Sequence, residues 1–220
     1  MEKTMRVTGK GKLSVKPDLI RLLLDATKVC ATYEEALSQS SAQTEELKNC
    51  FEKLGFARSD LKTLRFSVDT VYENYRDKNN VWKNRFQGYR FTHGMKLEFD
   101  ADNERLGRVL YALAQTEGRP EFRINYTVKD PETAKNKLLA KAVADSSEKA
   151  KVLAEAAGVP LGDIVTIDYF WGELEIVSRP VERCMMSAAN DTADSYQMDI
   201  EPDDIDVTDT VTVVWEIWGK

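Results

Sequence analysis

Apolar and polar residues alternate along several stretches of this chain with the two-residue period of half-buried strands. Ile20, Leu22, Leu24 and Ala26 alternate with Arg21, Asp25 and Thr27. Leu64, Phe66 and Val68 alternate with Arg65, Ser67 and Asp69, and Val211, Val213, Trp215 and Ile217 lie opposite Thr210, Thr212 and Glu216. Three other stretches change to the helical period: Leu47, Cys50, Phe51 and Leu54; Leu106, Val109, Leu110 and Leu113; and Leu139, Val143, Ser146, Ala150, Leu153 and Ala157. Thr32 and Glu35 form a capping box before the first and Gly55 stops it. Asp102 or Asn103 caps the second. Asp130-Pro131 opens the third, and Gly158 with Pro160 ends it. The spacing predicts helices over about 33–54, 103–117 and 131–157, and strands in the order ββαββαβαββ. Residues 5–15 and 20–27 read as a hairpin-like opening through Lys16-Pro17-Asp18, and a long hairpin turns at Asp77-Lys78-Asn79-Asn80. Further strands are expected at 120–129, 163–177 and the C-terminal end. Each helix has one apolar stripe, so the expected class is α+β, a mostly antiparallel sheet covered by helices. It reads as a single domain over 1–220 with room for two lobes. Residues 179–204 lack periodicity and read as a long mobile loop.

Composition adds limits. A chain of 220 residues, 42% hydrophobic and 31% charged, is that of a folded globular protein, and no apolar run approaches the roughly 20 residues that span a bilayer. A net charge of −6 argues against a whole-surface nucleic-acid binder. Residues 1–7 carry no apolar signal core, which points to the cytoplasm. Three cysteines, Cys30, Cys50 and Cys184, form no full disulfide set and suggest a reducing compartment. Cys30 and Cys50 read as core filler. Cys184, beside Arg183, Met185 and Met186, is the one redox candidate. His93 is the sole histidine and reads as a satisfied strand residue, so no histidine-rich metal site or Ser/His/Asp triad is available. Gly9-Lys10-Gly11 is half of a dinucleotide fingerprint but leads into a strand rather than a helix. The acidic run from Asp199 to Asp209 lacks the spacing and mid-loop glycine of a calcium loop. No catalytic, cofactor or metal set is expected.

The segment 72–96 carries Arg76, Lys78, Lys83, Arg85, Arg90 and Lys96 among Tyr72, Tyr75, Trp82, Phe86, Tyr89 and Phe91. Cations beside aromatics suit base stacking. The simpler reading is a twisted hairpin with aromatics toward the core and cations toward water. A third is docking on the acidic loop of a neighbouring subunit. Candidate interaction residues are Arg76, Lys83, Arg85 and Arg90, with Cys184, Met185 and Met186 in the loop.

The run Val7-Thr8-Gly9-Lys10-Gly11 followed by Val15-Lys16-Pro17-Asp18 resembles the opening of the SIMPL domain family. Leu54-Gly55, Asp60-Leu61-Lys62-Thr63 before Phe66-Ser67, Gly88-Tyr89-Arg90, Asp130-Pro131, and Lys149-Ala150-Lys151 with Leu153-Ala154 and Gly158 continue it in order. The resemblance implies an α+β fold, usually oligomeric, without established catalytic residues. It further implies kinship with bacterial envelope proteins tied to oxidative-stress defence, one of which assembles into a channel-like ring, and with a mammalian kinase-associated adaptor. Lys16, Pro17, Asp18, Gly88, Tyr89 and Arg90 match as structural signatures only. The leading expectation is a non-enzymatic, self-assembling scaffold with an unidentified protein partner. A nucleic-acid-binding module using the hairpin and a redox sensor at Cys184 are the alternatives.

Overall fold

The computed structural model describes residues 3–169, 176–178 and 201–218. It contains strands β1 (Thr4–Val15), β2 (Leu19–Cys30), β3 (Lys62–Arg76), β4 (Trp82–Asp100), β5 (Glu121–Thr127), β6 (Leu161–Asp168), β7 (Val177–Ser178) and β8 (Ile205–Ile217). The helices are α1 (Tyr33–Lys53), α2 (Asn103–Ala114) and α3 (Pro131–Ala157). The α+β class, the antiparallel pairing and the three helices agree with the sequence reading. The strand expected at 163–177 is instead β6 and the two-residue β7, with 170–175 outside the described residues. The loop expected at 179–204 also lies outside them, apart from 201–204.

The chain divides into two compact units, the first built from Met1–Asp18, Thr127–Ser178 and Asp203–Lys220 and the second from Leu19–Tyr126. In the first, β8 is the middle strand of the order β1-β8-β6 and pairs antiparallel with both neighbours. The expected opening hairpin is therefore corrected: β1 pairs with β8 from Thr4 opposite Glu216 to Val15 opposite Ile205, not with β2. The turn at Lys16-Pro17-Asp18 is tied elsewhere. The Asp18 amide donates to the Thr127 carbonyl (3.1 Å), and the Asp18 carboxylate accepts from the Lys129 amide (2.7 Å).

Helix α3 starts as the sequence predicts, with Asp130 accepting from the Thr133 amide at 2.9 Å and Pro131 following, and ends at Gly158 with φ 65°. Its buried face is turned part of the way from the expected stripe. Ser146 and Ala150 are buried and Leu139 and Val143 pack at the edge, but Ala134, Leu138, Ala142 and Ala154 complete the buried face, and Leu153 and Ala157 are exposed. The reason lies in β1: a side-chain carbon at Gly9 would collide with the Ala142 carbonyl, and one at Gly11 with the Leu138 carbonyl. The helix backbone rests on the two glycines, so its narrowest face must point inward. Val7, Val211, Val213 and Trp215 pack with Ala142 and Ala150 to complete this core.

In the second unit the strands run in the order β3-β4-β2-β5, and α1 and α2 pack on one face of them. Even-numbered β2 residues Ile20, Leu22 and Leu24 meet Phe91, Met95, Leu97 and Phe99 of β4, Leu47 and Phe51 of α1, and Leu106 and Val109 of α2. Thr32 caps α1 by accepting from the Glu35 amide (3.1 Å), while the Glu35 carboxylate reaches back to the Ala31 amide (3.0 Å).

Candidate interaction surface

Strands β3 and β4 form the long hairpin that the alternation predicts. Two bulges interrupt its register, one at Thr63/Arg65 and one at Val71/Tyr72. Gly88 sits opposite Val71 at φ 138°, and a side-chain carbon there would strike the Cys30 carbonyl. The second bulge thus requires glycine and sets the direction of everything beyond it.

On the helix-bearing side, the ring of Tyr33 at the start of α1 meets Tyr89 edge-on at 5.7 Å. Tyr89 meets Phe86 at 5.3 Å and Phe86 meets Tyr72 at 5.6 Å. Among the described residues nothing covers the hairpin beyond Tyr33, and Tyr72 (58% exposed), Trp82 (62%) and Phe86 (45%) face solvent. This corrects the expectation that these aromatics point into the core. Only Phe91 is fully buried, with Tyr89 packed at the margin. The sheet outruns the helix that covers it.

The expected cations are present but engaged. Arg76 stacks on Trp82 at 4.7 Å and donates to Asn80 at 2.9 Å. Lys83 pairs with Asp77 at 2.8 Å, and Arg85 pairs with Glu73 at 2.6 Å while lying over Tyr75. Hydrogen bonds from Lys83 and from the Val81 amide hold the Asp77 carboxyl below its usual range. Arg90 is exposed on the opposite sheet face. Cys184, Met185 and Met186 lie outside the described residues. Sequence reasoning missed Tyr33, which belongs to the aromatic strip although it sits on a helix. It also missed a charged cluster on the open sheet face, where Asp25 receives Arg65 at 2.8 Å and Arg123 at 3.1 Å.

His93 is 9% exposed and bridges three elements. Thr44 Oγ1 donates its proton to the Ser40 carbonyl (2.8 Å), so toward His93 Nδ1 (3.1 Å) it acts as acceptor. The proton is therefore on Nδ1, and Nε2 accepts from the Thr63 hydroxyl at 2.8 Å. Burial, then the nearby Lys48, hold this imidazole below the ordinary histidine range. The unfolded chain therefore takes up the proton first on acidification. Stability from this group is complete above about pH 6.5 and falls as the pH drops below it. Urea midpoints measured at pH 7.5 and 5.0 should show the loss, and His93→Gln, which removes the only histidine, should flatten that part of the slope. Equal slopes in both proteins would contradict it. Burial also pushes the Cys30 and Cys50 thiols up, which makes both poor nucleophiles.

Among the described residues no helix is long and apolar enough to cross a membrane, and no three His, Cys, Asp or Glu side chains converge for a metal. Comparison with known proteins places the chain. It is 27% identical over 193 residues to the 26 kDa periplasmic immunogenic protein of Brucella melitensis, covering 85% of this chain and 75% of that protein. The protein of the same name from Brucella abortus matches to the same extent. Both relatives are named as periplasmic. That finding overturns the cytoplasmic expectation drawn from residues 1–7. The family model SIMPL, described as a protein of unknown function (DUF541), matches residues 5–215. With nearly its whole length matched, the chain belongs to the SIMPL family.

Proposed function

We propose that this chain is a non-enzymatic scaffold of the periplasm that associates with copies of itself and uses its aromatic hairpin as the contact surface. The single observation that carries this reading is the strip Tyr33, Tyr89, Phe86 and Tyr72, extended by Trp82, all but Tyr89 exposed, while the neighbouring Lys83 and Arg85 pair within the hairpin itself. Exposed aromatics on a fixed frame are what the centre of a protein interface uses. Cations already neutralised by Asp77 and Glu73 have less to offer a phosphate backbone, which weighs against the nucleic-acid alternative. The periplasmic names of the two relatives support the location. Oxidative-stress defence enters this reading only through the family resemblance.

Light scattering coupled to size exclusion tests it. The wild type is expected to run as an oligomer. Tyr72→Ala/Trp82→Ala/Phe86→Ala should weaken association at least tenfold, or about 1.4 kcal/mol, without changing the thermal midpoint. A wild-type monomer at every concentration would end the proposal.

A further inference from the structure

The face of the β3-β4-β2-β5 sheet opposite α1 and α2 is lined by charge in an unequal ratio. Glu98 lies between Arg21 (2.6 Å) and Lys96 (3.0 Å), and Asp25 lies between Arg65 and Arg123. Burial would raise the Glu98 carboxyl, but hydrogen bonds from Lys96 and Arg21 outweigh it and hold the group down. Gly94, in register with both Asp25 and Arg65, leaves the gap across which Arg65 reaches, since a side-chain carbon there would come within 2.7 Å of Arg65 Cγ. Each carboxylate thus holds two cations in place, and Lys62, opposite Lys96, adds another. Toward the tip, Arg85 is paired with Glu73 and Arg90 lies opposite Asp69, so the cationic excess is confined to the part of this face around Asp25 and Glu98. The outer guanidiniums are well exposed, Arg65 at 64% and Arg123 at 69%.

The opposite charge is equally localised. Residues 184–220 contain nine acidic residues and one lysine, so the chain's net charge of −6 comes from this stretch and the preceding 183 residues carry a slight positive excess. Of these acids, Asp203, Asp204 and Asp206 are exposed at the start of β8, and none of the three pairs with a lysine or arginine among the described residues.

We propose that the cationic sheet face of one copy receives the acidic start of β8 of a second copy. This rests on the scaffold reading above and names its partner and its specificity. The two charged patches decide which surfaces meet in this contact, and the aromatic strip, on the helix-bearing face of the same sheet, makes a separate one. The patches differ, so each copy presents one of each.

The test is a charge exchange. In a dilution series followed by light scattering, the wild-type dissociation constant should rise at least tenfold between 50 and 500 mM NaCl. Arg65→Glu/Arg123→Glu and Asp203→Lys/Asp204→Lys/Asp206→Lys should each form smaller assemblies than the wild type at 50 mM NaCl, and an equimolar mixture of the two should regain the wild-type mass. Should the first variant fail to fold, Arg65→Gln/Arg123→Gln, which adds no like charge beside Asp25, replaces it and should weaken association at least tenfold. An oligomer that ignores salt and keeps its mass in both variants overturns this interface while leaving the scaffold reading standing. A salt response at constant mass would mean that the patches meet within one chain, and also overturns it. A wild type that is monomeric at every salt removes both proposals together.

Discussion

Gly9→Ala and Gly11→Ala are each expected to destabilise the protein by about 3 kcal/mol or more, read as an earlier urea midpoint in the transition of the unit that contains β1. Overpacking a core usually costs about 1–3 kcal/mol because side chains can change rotamer to make room. Here the obstacles are the Ala142 and Leu138 carbonyls of α3, and a helix backbone has no rotamer to change. For a unit of fewer than 100 residues the thermal midpoint should drop by roughly 12–24 °C. The sign is what makes the experiment informative, because in a strand with open space the same change would stabilise by limiting the unfolded chain. A loss under about 1 kcal/mol would mean that α3 can retreat from β1 at little cost.

Gly88→Ala should be nearly as damaging, at about 2–3 kcal/mol, and through a different route. The backbone at φ 138° is strained for any residue with a side chain, and the added carbon also meets the Cys30 carbonyl. The cheapest escape is to lose the bulge at Val71/Tyr72. That would shift β4 beyond it by one position, so that Phe86 and Trp82 exchange faces with Arg85 and Lys83 while Tyr72 keeps its own and loses its ring partner. The variant should therefore combine lower stability with lost self-association, and hydrogen exchange should show the change concentrated between Tyr72 and Phe86. Unaltered association in a destabilised protein would separate the bulge from the contact surface.

Much of this fold is legible in the residues because the signals are local. Thr32, Asp102, Asp130 and Gly158 mark helix ends through bonds to neighbours three or four positions away, and the structure uses each of them as a cap. What could not be read was partner choice over long separations. Nothing near Lys16-Pro17-Asp18 reveals that β1 is matched by β8. Gly9-Lys10-Gly11 carries no local sign that α3 lies across it, and that contact rotates the buried stripe away from Leu153. The aromatic strip is half legible: alternation assigns the faces of β3, but in β4 the bulge brings Phe86 to the side of Tyr89, and whether that side is buried depends on where α1 begins. The cluster of Asp25, Arg65 and Arg123 draws one residue from each of three strands, so it has no sequence signature at all.

The pairing of Thr4 with Glu216 also fixes the order in which the molecule can be completed. The strands and helices of Leu19–Tyr126 close on themselves within one continuous run, whereas β1 has no strand to pair with until β8 has been made. Contacts between distant segments are slow to form, and a chain that emerges from its N-terminus has its middle finished first. During that interval β1 is a lone strand whose two glycines leave it little apolar surface to expose. A C-terminal truncation that removes β8 would thus leave the central unit competent to fold and the outer one without its middle strand.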